Sequence, residues 1–150
     1  MPGYSGGAIP SPTYEQVSTG NTGHVESIKI EFDPAVISYG DLLAVFFSTH
    51  DPTTLNQQGN DVGEQYASTI FYSSEEQKSK AEALINELDD SKAYEKPVVT
   101  AVRPLTGFFP AEDYHRDYYE SHKDAPYCQL IIEPKLVKLQ KRFAELLKER

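Results

Sequence analysis

Glu26 lies in His24-Val25-Glu26-Ser27-Ile28-Lys29-Ile30-Glu31-Phe32, a run that alternates with period two. Strand parity puts Glu26 on one face with Ile28, Ile30 and Phe32. A carboxyl at the end of a buried apolar stripe is desolvated, which raises its pKa and lets it hold a proton near neutral pH. Such a group can donate that proton to a reacting oxygen. The alternative is an ordinary strand-end carboxylate, solvated or paired with a lysine. Tyr14 and Tyr66 stand in glycine-rich segments flanking this strand and the helix that follows. Each can offer a hydroxyl to a bound polar oxygen, or simply cover the edge of a core with its ring. Asp61 sits in Gly59-Asn60-Asp61-Val62-Gly63, the composition of a turn. Cys128, the one cysteine, precedes the apolar run Leu130–Ile132 and reads as a small buried hydrophobe. A redox thiol would need exposure and a nearby cation, and Lys123 stands behind Asp124. His24, His50, His115 and His122 lack zinc-ligand spacing, so no metal or other cofactor is expected.

The elements that must hold these residues follow from pattern. Residues 1–23 carry one charge, Glu15, with Pro10 and Pro12, and read as loop. A strand is predicted over 24–33 and a core helix over 38–50, with Ser38 and Asp41 as a capping box. Residues 51–66 read as a long polar loop, of the kind that is usually functional. Strands over 68–73 and 98–105 flank a helix running from Ser74 to about residue 94. A polar helix is expected over 110–122, a last strand over Tyr127–Ile132 and a C-terminal helix over 134–149. Strands and helices interleave, so the class is α/β or α+β. The core is expected from Ile28, Ile30, Phe32, Leu42, Leu43, Phe46, Phe47, Ile70, Leu84, Leu88, Val99 and Ala101.

Composition narrows the functions. The chain has 150 residues, the size of one domain, and a net charge of −9. That balance lacks the basic footprint of a nucleic-acid or anionic-lipid binder. No apolar run approaches the roughly 18 residues that span a bilayer, and the opening residues lack a signal peptide's basic and apolar regions. A cytoplasmic protein binding neither nucleic acid nor membrane is expected. A single cysteine leaves no internal disulfide framework.

A series of motifs then stands in one order along almost the whole chain. They are Gly3-Tyr4-Ser5-Gly6-Gly7, Pro12-Thr13-Tyr14-Glu15-Gln16-Val17 and Gly20-Asn21-Thr22-Gly23-His24-Val25-Glu26. Next come Phe32-Asp33-Pro34, His50-Asp51-Pro52-Thr53 and Gln58-Gly59-Asn60-Asp61-Val62-Gly63-Glu64-Gln65-Tyr66. Phe108-Phe109-Pro110-Ala111-Glu112-Asp113-Tyr114-His115 and Tyr127-Cys128 complete the series. The chain resembles the A-type peptide methionine sulfoxide reductases, which act on the S epimer. The resemblance implies an α+β two-layer sandwich with a mixed sheet and a ferredoxin-like core. It implies a repair oxidoreductase acting on methionine-S-sulfoxide in peptides and proteins, with thioredoxin as reductant. Residue by residue, Tyr14 and Tyr66 would bind the sulfoxide oxygen, Glu26 would supply its proton, and Asp61 would order the site and its water. Cys128 matches the resolving cysteine of many members.

Two departures qualify the activity. The family's Gly-Cys-Phe-Trp segment, which carries the nucleophile, precedes the Gly-Tyr-Ser-Gly-Gly stretch and is not found in these residues. The expectation is a single domain over 1–150 that is N-terminally incomplete, with the nucleophilic cysteine absent. Ala67 also follows Tyr66 where the family usually has arginine. A reductase completed by a further segment is one reading. A non-catalytic methionine-sulfoxide-binding or interaction protein of the same fold is the alternative, and Cys128 acting as nucleophile is a third.

Overall fold

The computed structural model describes residues 1–115, 118–126 and 133–144. Two compact units emerge: Met1–Glu31 with His50–Glu112, and Phe32–Thr49 with Asp113–Arg150. The architecture is α+β, and among the described residues the strands form three small sheets in the first unit.

The first sheet is antiparallel, with β1 (Pro2–Ser5) between β2 (Val25–Ile28) and β7 (Phe108–Pro110). The expectation of loop over 1–23 therefore fails at two places. Those residues hold the central strand and also α1 (Tyr14–Ser18). Glycine and proline hid the strand, but each has a place in it. Pro2 occupies the first strand position, and a Cβ on Gly3 would run into the Phe108 ring and the Phe109 carbonyl. Tertiary pairing here overrides local propensity. The five-residue α1 is closed by a full capping box. Thr13 Oγ1 accepts from the Gln16 amide at 3.2 Å, and Gln16 Oε1 accepts from the Thr13 amide at 2.8 Å. Val17 is fully buried, in a cluster with Tyr4 and Ala111.

β2 is shorter than the strand predicted over 24–33, and its faces are the reverse of those expected. Val25 is 6% exposed, whereas Ile28 is 74% and Ile30 56% exposed. The register explains the inversion. Val25 stands opposite Ser5 and Ser27 opposite Gly3, on the side where Phe108 lies over Gly3. The ladder ends with Met1 and Lys29, joined by two backbone hydrogen bonds of 2.8 and 3.0 Å.

The segment 51–66, expected as loop, folds into a hairpin of β3 (Gln57–Gln58) and β4 (Asp61–Val62), followed by a 3₁₀ turn over Glu64–Tyr66. Gly59, at φ 57°, supplies the left-handed residue of the hairpin turn. β5 (Thr69–Tyr72) and β6 (Ala101–Pro104) pair in parallel through the crossover helix α3 (Glu75–Asp90). Ser74 caps α3 as expected, accepting from the Gln77 amide at 3.2 Å. Lys92, at φ 52°, ends the helical path short of residue 94.

In the second unit, α2 (Tyr39–Thr49) forms where predicted. Ser38 and Asp41 cap it reciprocally, and Leu43 and Phe47 are buried. Where a helix was expected over 110–122, the described residues form a 3₁₀ turn, Asp113–His115, and the single turn α4 (Tyr118–Ser121). α5 spans Glu133–Arg142. The strand expected over Tyr127–Ile132 and the last residues of the C-terminal helix lie outside the described residues. Of the expected core, Leu43, Phe47 and Ile70 are buried. Phe32, Leu42, Phe46, Leu84 and Leu88 are half-buried, and Ile28, Ile30, Val99 and Ala101 are exposed.

His24, fully buried, locks the turn after β1. Its Nδ1 accepts from the Gly7 amide at 3.1 Å, so the proton sits on Nε2, which donates to the Ile9 carbonyl at 2.6 Å. The ring meets Phe109 edge-on, with centroids 5.6 Å apart. A Cβ on Gly7 would strike the His24 ring and the Thr22 carbonyl. Gly7→Ala should therefore cost about 1–3 kcal/mol in urea unfolding. Gly40→Ala, on α2 with nothing nearer than 3.7 Å, should gain up to about 1 kcal/mol. Equal stability of the two variants would remove the steric account of Gly7.

Candidate active site

Three residues stand in one row across the first sheet: Phe109, Tyr4 and Glu26, each opposite the next. Directly opposed residues share a face, so all three side chains leave the same side. Tyr4 is 2% exposed, which makes the row's centre an apolar wall. Glu26 stands at its outer edge and is an exposed residue. The protein around its carboxyl still desolvates it enough to push it above the ordinary glutamate range, and the like charge of Asp61 pushes it further. The raised pKa agrees with the sequence reading, but the surroundings differ. Ile28 and Ile30, expected to desolvate Glu26, are exposed, and the rings beside it in the row are those of Tyr4 and Phe109.

Asp61 enters from the β3–β4 hairpin, where it pairs with Gln58 at an exposed position. Tyr66 ends the 3₁₀ turn that packs beside β2. Glu64 in that turn accepts the Gly23 amide at 2.8 Å, just before β2 begins. Tyr14 is the first residue of α1 and 37% exposed. Its amide donates to Glu112 Oε1 at 2.8 Å, and the other oxygen of that carboxylate accepts the Tyr4 hydroxyl at 3.0 Å.

The structure thus brings Glu26 and Asp61 within reach of each other's charge. It sets Tyr66 on a turn packed against the strand of Glu26, and ties Tyr14 through Glu112 to the cross-strand partner of Glu26. Cys128 lies outside the described residues. Tyr4 and Glu112 are residues to which the sequence pattern assigns no role at the site. Tyr4 was concealed in a glycine-rich stretch, and nothing local links Glu112 to a residue 98 positions earlier. Among the described residues no group of three or more His, Cys, Asp or Glu side chains is placed to hold a metal ion. No helix among them is long and apolar enough to cross a membrane.

Comparison with known proteins places this geometry in context. A family model described as peptide methionine sulfoxide reductase matches residues 1–147. The peptide methionine sulfoxide reductase MsrA of Thermus thermophilus is 55% identical over 148 residues, spanning 99% of this chain and 83% of the relative. That of Sulfolobus acidocaldarius is also 55% identical, over 96% of this chain and 81% of the relative. Among solved structures, reduced Mxr1 from Saccharomyces cerevisiae superposes with a TM-score of 0.77 at 31% identity, covering 83% of this chain and 71% of that one. Methionine sulfoxide reductase A of Corynebacterium diphtheriae gives 0.70 at 28% identity, covering 81% and 62%.

The raised Glu26 pKa has a consequence for stability. The folded chain holds this proton more tightly than the unfolded chain, whose value is near 4.5. The stabilisation is complete below that value and is lost as pH rises through the higher folded pKa. Glu26→Gln has no proton to lose. Its stability relative to the unsubstituted chain should therefore climb between pH 4 and pH 8 in urea unfolding. A difference that stays flat across that range would refute the desolvated carboxyl.

Proposed function

The chain belongs to the peptide methionine sulfoxide reductase family, and on that footing we propose how its residues serve the reaction and where it takes place. The family consists of oxidoreductases that reduce methionine sulfoxide to methionine, and this chain is one of them. The substrate is proposed to be the S epimer in peptides and proteins, with thioredoxin as reductant and the cytoplasm as compartment.

The observation that carries the site assignment is Glu26, a carboxyl with a raised pKa beside an apolar row and facing the charge of Asp61. In its protonated form it donates to the sulfoxide oxygen. Tyr14 and Tyr66 hold that oxygen through their hydroxyls, and Asp61 orders the site and its water. A cysteine thiolate attacks the sulfoxide sulfur and forms a sulfur–sulfur bond, while the proton of Glu26 goes to the oxygen. The sulfur–oxygen bond breaks, the departing hydroxyl oxygen bonds to the cysteine sulfur as the sulfur–sulfur bond breaks, and the products are the thioether and a cysteine sulfenic acid. A second thiol then displaces the oxygen as water, closing a disulfide that two electrons from thioredoxin reopen. Cys128 takes this second role. It is the one cysteine of the 150 residues, and the attacking thiolate is proposed to be that of another cysteine. The alternative reading is that these residues bind methionine sulfoxide without turnover.

The two readings separate in one assay. The chain is mixed with a peptide carrying the family's Gly-Cys-Phe-Trp segment, dithiothreitol and a peptide containing methionine-S-sulfoxide. Reduction of the S epimer and not the R epimer is expected, and Glu26→Gln should lower turnover by roughly 10²-fold or more while binding persists. Tyr14→Phe and Tyr66→Phe should each weaken binding by about 0.5–1.5 kcal/mol, the net worth of a hydrogen bond. Saturable binding with no turnover would favour the binding protein. Undiminished turnover by Glu26→Gln would take Glu26 out of the mechanism.

A further inference from the structure

Two of the hydrogen bonds that Glu112 accepts converge on the candidate site from residues far apart in the chain. Oε2 accepts the hydroxyl of Tyr4, which is buried in the middle of the first sheet and stands opposite Glu26. Oε1 accepts the backbone amide of Tyr14, the first amide of α1. An isolated helix of five residues does not hold its shape or place in water. α1 therefore depends on its capping box, on buried Val17 and on this carboxylate for its seat on the sheet. Glu112 is itself fixed at the sheet. The preceding residue, Ala111, donates its amide to the Pro2 carbonyl at 3.0 Å and packs with Tyr4 and Val17.

We propose that Glu112 is a positioning residue for the reaction: one carboxylate joins the neighbour of Glu26 to the backbone of Tyr14 and so sets where the Tyr14 hydroxyl meets the sulfoxide oxygen. This rests on the reading that Tyr14 binds that oxygen. The role requires a planar group with two acceptor or donor positions at this reach, not a negative charge. A glutamine fits it: its carbonyl accepts the Tyr14 amide and its amide donates to the Tyr4 oxygen. Aspartate, one methylene shorter, cannot span both partners.

The test measures the affinity of the full 150-residue chain for two peptides identical except that one carries methionine-S-sulfoxide and the other methionine. The ratio isolates recognition of the oxygen from general binding, so a loss of stability alone does not move it. Tyr14→Phe should lower the ratio about threefold to tenfold, as a net hydrogen bond implies. Glu112→Ala and Glu112→Asp should lower it to a similar degree, and Glu112→Gln should restore it. Added to Tyr14→Phe, Glu112→Ala should cause no further fall. If Glu112→Ala does not fold, Tyr4→Phe, which removes one of the two bonds, should lower the ratio part of the way. A fall with Tyr14→Phe and none with the Glu112 or Tyr4 variants overturns the positioning role alone. An equal further fall in the Tyr14→Phe background also overturns it. No fall with Tyr14→Phe itself overturns the reading of Tyr14, and the role of Glu112 with it.

Discussion

β1 is four residues long and paired on both edges, and the groups around the candidate site are attached to it in turn. Glu26 leaves the strand on one side of it, and Phe109 the strand on the other. Glu112 hangs from the end of that second strand and returns to the ring at the centre of β1. α1 is seated by the same carboxylate, and the turn between β1 and α1 is pinned by His24. A strand this short has few hydrogen bonds of its own, so its position is set by neighbours on every side. That explains why its side chains are so constrained. Gly3 must lack a Cβ, and Tyr4 must place its hydroxyl on one particular carboxylate.

Periodic segments were legible in the sequence. α2 and α3 show their apolar stripes and their Ser caps, and the structure follows them to within a few residues. The central strand was not legible, because Pro2-Gly3-Tyr4-Ser5 has turn composition and becomes a strand only through partners at positions 25–28 and 108–110. The faces of β2 were misread for a related reason. Alternation shows that a strand has two faces, but the register decides which of them is covered. Val25 and Ser27 face the covered side because they stand opposite Ser5 and Gly3.

The candidate site divides in the same way. Glu26, Tyr14, Asp61 and Tyr66 could be named because motif order carries them. The environment of Glu26 could not be read, since Ile28 and Ile30 turn out exposed and the apolar row comes from strands distant in sequence. Two carboxyls within reach of each other, in a chain already at net charge −9, make a second negative charge costly at this point. The upward shift of Glu26 thus comes from the sheet and the hairpin together, and no single segment shows it.

The pairing of β1 with β7 joins residues about one hundred positions apart, and this ordering has a consequence for synthesis. β1 and β2 can pair soon after residue 28 leaves the ribosome, since only a short connection separates them. Phe108–Pro110 and Glu112 emerge later, and at 5–20 residues per second the interval is roughly 4–16 s. Throughout that time one edge of β1 is open and α1 has no carboxylate to seat it. The residues proposed to hold the substrate oxygen are therefore brought into place late, by nearly the last piece of the first unit to be made. A nascent chain interrupted before residue 108 would display the motifs of Tyr14, Glu26 and Tyr66 without the frame that brings them together.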